Sequence, residues 1–130
     1  MKLMENELTS FCPSYHRAVE LIGRRWTGAI LRALLTDVKR FNDLAAAVPG
    51  LSDRMLAERL KELETEGVVV RRVFPDTPVR VEYRLTEKGR ALESVVRAVA
   101  GWAESWVEEI ESGGRAAGRD LRRLVHPPTL

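Results

Sequence analysis

Arginines, lysines and a hydroxyl gathered around one short amphipathic stretch could bind a polyanion, and the residues best placed to do so are Ser52, Arg54, Met55, Glu58 and Arg59. An arginine guanidinium can bridge guanine O6 and N7 in the major groove, which is worth about 1–3 kcal/mol of base discrimination. A serine at the start of a helix, where backbone N–H groups are unpaired, suits a phosphate. Lys39 and Arg40 lie just upstream and could touch phosphate, while Arg80 and Arg84 lie downstream as phosphate or minor-groove candidates. Arg59 falls nearer the apolar side of its stretch, so a structural ion pair is the alternative for it. Cys12 is the single thiol of the chain. At a helix N-terminus, with His16 one turn on and Arg17 adjacent, it would be favoured as a thiolate, open to oxidants or electrophiles. Its alternative is that of a small buried hydrophobe.

The stretch that must position the first group runs from Phe41 to Gly67, FNDLAAAVPGLSDRMLAERLKELETEG. It predicts a short helix, a turn at Pro49-Gly50 and a second helix opening at Ser52, a helix-turn-helix that lays its second helix in the major groove. Ser52 has the chemistry of an N-cap, and Asp53 follows near the positive end of the helix dipole. Leu56, Leu60 and Leu63 recur at helical spacing as an inward stripe, with Arg54, Glu58 and Lys61 opposite. Gly67 stands where a left-handed C-cap is expected. Period-two alternation then takes over: Val68-Val69-Val70 is β-branched, and Val79, Val81, Tyr83 and Leu85 alternate with Arg80, Glu82 and Arg84. Pro75-Asp76-Thr77-Pro78 forms the tip between them. That is a hairpin following a helix-turn-helix, or a wing, and it carries Arg71 and Arg72 as well.

Upstream, Cys12-Pro13 starts a helix ending near Gly23, with proline at the first position where its missing N–H costs nothing. Trp26 to Leu35 reads as a core helix, and Val38-Lys39-Arg40 as an extended connector. Downstream, Thr86 caps a helix predicted to run to about Glu111, with Leu92, Val96, Val99, Trp102, Trp106 and Ile110 along one apolar stripe. A small wing domain cannot cover a helix of that length, so a second copy of the chain is its expected partner, with Tyr15 and Val19 of the first helix joining the interface. An intramolecular fold-back is the alternative. In a dimer, oxidation of Cys12 would have to give a Cys12–Cys12′ bridge, a mixed disulfide or an adduct, because no second thiol exists; the bridge requires Cα atoms within about 7 Å. Trp102 and Trp106 could instead line a pocket for a small aromatic effector.

A length of 130 residues suggests one domain, with 45% hydrophobic and 31% charged residues as in ordinary globular proteins. The expected layout is a loose N-terminus over 1–11, a folded domain over 12–111 and a basic, solvated tail over 112–130. The net charge of +2 conceals a partition: residues 68–90 carry +3, 91–111 carry −4 and 112–130 carry +3. One region therefore suits a polyanion and another something else. No membrane-spanning run and no signal-peptide pattern appear, so the cytoplasm is the expected compartment and a membrane is not an expected partner. One cysteine and two histidines far apart make a metal site improbable, and neither a cofactor nor a catalytic constellation is expected.

The positions Cys12-Pro13, Trp26, Arg40-Phe41, Leu44, Pro49-Gly50, Ser52, Leu56, Arg59-Leu60, Leu63, Gly67, Pro78, Val81, Tyr83-Arg84-Leu85-Thr86, Gly89, Leu92 and Trp102 resemble the HxlR-type family of bacterial transcriptional regulators. The likeness spans about residues 12–107. It implies a mainly α fold with a small β-hairpin (α+β), a MarR-like winged helix-turn-helix, and a homodimer formed by the first and last helices. It also implies a major-groove helix at 53–66, a wing at 68–85, a double-stranded operator (expected to be an inverted repeat) and control more often by repression. In some members the N-terminal cysteine senses oxidants or electrophiles, and Cys12 stands at that position. The tail after Gly113 departs from the family pattern. A winged-helix module that binds protein rather than DNA is the rival reading.

Overall fold

The structure, a computed structural model, describes residues 10–107. Six helices and one hairpin follow in the order α1 (Pro13–Ile22), α2 (Thr27–Leu35), α3 (Phe41–Ala47), α4 (Asp53–Thr65), β1 (Val69–Phe74), β2 (Arg80–Leu85), α5 (Glu87–Arg90) and α6 (Glu93–Trp106). The chain divides into two compact units, one reaching Arg90 and the other beginning at Ala91.

In the first unit the core is aliphatic. Ile30, Leu31, Leu44, Leu56, Leu60, Leu63 and Val68 are all essentially inaccessible to solvent. The three leucines of α4 are the predicted stripe, and they turn that side of the helix into the core by removing apolar surface from water. Gly67, at φ +76, closes α4 with the left-handed conformation expected there. Gly50, at φ +87, makes the turn between α3 and α4, and a Cβ added to it would lie 3.4 Å from the Trp26 ring. Trp26 is thus a buttress beneath the turn and not the first residue of α2. It precedes that helix in a left-handed conformation, φ 79, with the Arg25 guanidinium 5.1 Å from its ring centroid.

The strands pair antiparallel, Val69 opposite Leu85 through Phe74 opposite Arg80. The outer edge of β2 is also engaged, since the Tyr83 N–H donates to the Lys39 carbonyl at 2.8 Å. The predicted connector before α3 therefore lies alongside the wing. Thr86 ties the base of the hairpin together: its hydroxyl donates to the Gly67 and Val68 carbonyls and accepts from the Gly89 N–H. Gly89 lies against the Val68 carbonyl so closely that no side chain would fit.

The continuous helix expected from Thr86 to about Glu111 is not what forms. α5 and α6 are separate, with a turn at residues 91–92, and α6 ends at Trp106, after which Val107 is extended. Within α6 no residue is buried, and Val95, Val99, Trp102 and Trp106 are exposed; Leu92 and Val96 are half-buried. α1 likewise has no buried residue, and Tyr15 and Val19 are exposed on it. Ile110, the 1–9 segment and the basic tail lie outside the described residues. No helix among the described residues is long and apolar enough to cross a membrane.

Candidate nucleic-acid interface

The start of α4 is built as an N-terminus should be. Ser52 is extended at φ −80, ψ 156, and its Oγ accepts from the Met55 N–H at 3.1 Å. The hydroxyl oxygen is thereby engaged, leaving its O–H and the remaining first-turn N–H groups for an anion. Arg54 stands almost free of the body, with 89% of its side chain exposed, and faces Glu58 one turn on at 3.4 Å. Glu58 is exposed and Met55 half-buried. An ion pair so exposed holds its members weakly, so the guanidinium can leave it for a base edge.

Arg59 does not share that face. It is 6% exposed; its Nε donates to the Arg25 carbonyl at 2.9 Å and its Nη1 to Glu62 at 3.0 Å. Both ends of the fork are committed inside the fold, which matches the ion-pair alternative and removes Arg59 from the candidate contact surface. The carbonyl that fixes it comes from a residue far away in sequence, and no local pattern could have announced it.

The wing holds a second surprise. Period-two alternation places Arg80, Glu82 and Arg84 on one face, which a solvated strand would leave open. Glu82 is instead only 5% exposed. Its Oε2 accepts from Arg80 Nη1 at 2.7 Å, and its Oε1 accepts from Arg84 Nη2 at 2.8 Å and from Arg84 Nε at 3.2 Å. Arg80 Nε also donates to Asp76 at 3.1 Å, and the Arg80 guanidinium lies 4.2 Å from the Phe74 ring centroid. The Arg84 hydrogen bond chiefly, with the charges of Arg80, Arg84 and Lys39 added, holds the Glu82 carboxyl below its ordinary range against the opposing effect of burial. The structure thus brings two predicted residues, Arg80 and Arg84, onto a carboxylate that the sequence pattern does not single out; the Lys39 ammonium faces Asp37 at 3.8 Å. Arg40, Arg71 and Arg72 are exposed and without an ion-pair partner among the described residues.

Cys12 is the half-buried N-cap residue of α1, and its side chain makes no cap hydrogen bond. The two groups expected to favour its thiolate are engaged by other residues. Arg17 donates twice to Glu66 at the end of α4, at 2.9 and 3.2 Å, and His16 pairs with Glu20 at 3.4 Å and lies tilted against Phe11. An exposed ion pair therefore runs from the cysteine-bearing helix to the end of α4. A second, also exposed, runs between Arg24 and Glu62 at 3.5 Å. No cluster of metal-ligating side chains occurs among the described residues.

Known proteins resemble this chain in sequence and fold. The chain is 47% identical over 100 residues to the uncharacterised helix-turn-helix transcriptional regulator YvaP of Bacillus subtilis, covering 77% of this chain and 93% of that protein. It is 46% identical over 99 residues to the transcriptional regulator YodB of the same organism, covering 76% and 88%. The structure of reduced YodB superimposes with a TM-score of 0.67 at 45% identity, covering 76% of this chain and 97% of that one, and YodB is also known diamide-treated and quinone-bound. The redox regulator HypR in its oxidised form gives a TM-score of 0.66 at 40% identity, over 72% and 96% of the two chains. These relatives are regulators of transcription and not enzymes. With the HxlR-like helix-turn-helix profile matching residues 21–111, a capped second helix in that motif and an arginine-bearing wing, the chain belongs to the HxlR-like family of DNA-binding transcriptional regulators.

Proposed function

We propose that the protein is a homodimeric, sequence-specific repressor that occupies an inverted-repeat operator and responds to oxidants or electrophiles through Cys12. The observation that carries the DNA reading is α4 itself, with leucines sealed on one side and Arg54 projecting on the other from a capped N-terminus. Ser52, Arg54, Met55 and Glu58 meet base edges and the adjacent phosphate, while Lys39, Arg40, Arg80 and Arg84 serve the backbone or minor groove. Two copies would address half-sites about 34 Å apart, one helical turn. Dimerisation is supported by the apolar side chains that α1 and α6 leave in water: Tyr15 at 71%, Val99 at 61% and Trp102 at 60% exposure. A paired chain would cover them. Packing between copies explains Trp102 and Trp106 more simply than a pocket for an aromatic effector does.

The redox reading is supported by the relatives whose structures are known reduced and oxidised, or with quinone, together with the half-buried position of Cys12. Oxidation by diamide would join Cys12 to its counterpart in the partner chain, or to a small thiol, with diamide taking up the two electrons and two protons. Gel-shift titration against fragments of the protein's own upstream DNA at two salt concentrations tests the DNA reading. Steep salt dependence with preference for one fragment is expected, whereas a protein-binding module would show neither. Diamide should weaken operator binding by wild type and leave Cys12→Ser unaffected; the same response in both would end the sensor reading.

A further inference from the structure

The DNA reading leaves Glu82 unexplained, because a negative charge in a DNA-facing wing opposes attraction to phosphate. Burying a carboxylate is costly unless every charge around it is matched, and here the matching is complete: each oxygen is given to a different arginine. We propose that Glu82 is a positioning residue for the wing, its buried carboxylate fixing the outward edges of Arg80 and Arg84 so that they contribute to operator discrimination and not to bulk affinity. This inference rests on the reading that the wing meets the duplex.

The geometry supports positioning over simple neutralisation. Arg84 presents Nε and Nη2 to Glu82, a two-point grip that sets the plane of the guanidinium. Arg80 is gripped on three sides, by Glu82, Asp76 and the Phe74 ring. Glu82 itself is 6% exposed at its side chain, while Arg80 and Arg84 are 31% and 42% exposed. The anchor is therefore inside and the working ends are outside. A guanidinium has five N–H donors, so each arginine keeps donors for phosphate or minor-groove acceptors after satisfying its anchors. Side chains locked in this way give up less freedom on binding than mobile ones.

The test is Glu82→Gln in the full-length protein, which keeps the shape and removes the charge. Binding is measured by fluorescence anisotropy on a duplex of about three helical turns, enough for two half-sites, enriched by the wild-type protein from a randomised pool. A shuffled duplex of the same length is the comparison, and circular dichroism checks folding. The ratio of shuffled to enriched Kd is expected to fall about tenfold, while the shuffled duplex is bound as tightly as before or more tightly. An unchanged ratio, or equal weakening on both duplexes, would overturn the proposal and leave Glu82 a structural brace. If wild type itself shows no ratio, the DNA reading fails first and this inference with it. Should Glu82→Gln not fold, Arg84→Lys carries the test: it keeps the charge on an exposed side chain but cannot make the two-point grip. A reduced ratio is then expected, and an unchanged one overturns the proposal.

Discussion

The α4 helix and the wing use arginine in opposite ways. On α4, Arg54 is 89% exposed and its partner is an exposed glutamate at 3.4 Å. On β2, Arg80 and Arg84 are wired at 2.7–2.8 Å to a carboxylate removed from solvent. A side chain that must find a base edge benefits from a weak, exchangeable partner. One that is to contribute to discrimination from a hairpin benefits from arriving already oriented. Arg59 shows a third use, a cation folded into the core of the same helix to hold α4 against the Arg25 carbonyl. Residue type alone does not separate these roles; burial and partner do.

The largest effect should come from the platform beneath the comparison. Leu56 is fully buried, and Leu56→Ala is expected to lower stability by about 2–5 kcal/mol, read from chemical denaturation. Binding to enriched and shuffled duplexes should fall together. A loss confined to the enriched duplex would mean that Leu56 touches the groove and not the core. Next comes the freely held arginine: Arg54→Ala should remove about 1–3 kcal/mol of discrimination with little change on shuffled DNA. Equal losses on both duplexes would show that Arg54 reads no base, and the contrast with the wing would dissolve.

A finer cut distinguishes the two faces of the wing. Arg72 stands opposite Glu82 in the register and shares its face, whereas Arg71 stands opposite Tyr83 on the other. If the Glu82 face meets the duplex, Arg72→Ala should make the log–log salt dependence shallower by about 0.9, the slope that one neutralised phosphate carries. Arg71→Ala should leave it unchanged, and the reverse result would turn the wing over.

Much of this was legible in the chain. The change from helical to period-two spacing at Gly67, the turn residues Pro49-Gly50 and the cap at Ser52 each carry a local physical signal, and each element forms where that signal lies. What was not legible depends on contacts distant in sequence. Gly89 reads as an ordinary helix residue until the Val68 carbonyl is found against it. Trp26 reads as helical apart from the turn it supports. Glu82 reads as one member of a solvated charged face because alternation reports the side of the strand and not what covers that side. Arg17 and His16 stand near Cys12 in sequence, yet their partners are Glu66 and Glu20.

The smallest predicted effect is confined to acid, and its sign follows from Glu82. Its carboxyl in the folded chain titrates below the ordinary 4.5, chiefly because Arg84 donates to it, with burial acting in the other direction. A group whose folded pKa is depressed contributes stability that is fully present above its unfolded pKa and is lost as the pH falls through its folded one. The difference in melting temperature between wild type and Glu82→Gln should therefore be level from about pH 7 to pH 5 and shrink only below about 4.5. Taking the difference cancels the other carboxylates, which both proteins share. A difference that already changes between pH 7 and pH 5 would mean that desolvation outweighs the two arginines, and a carboxylate in that condition could not hold them in place for the duplex.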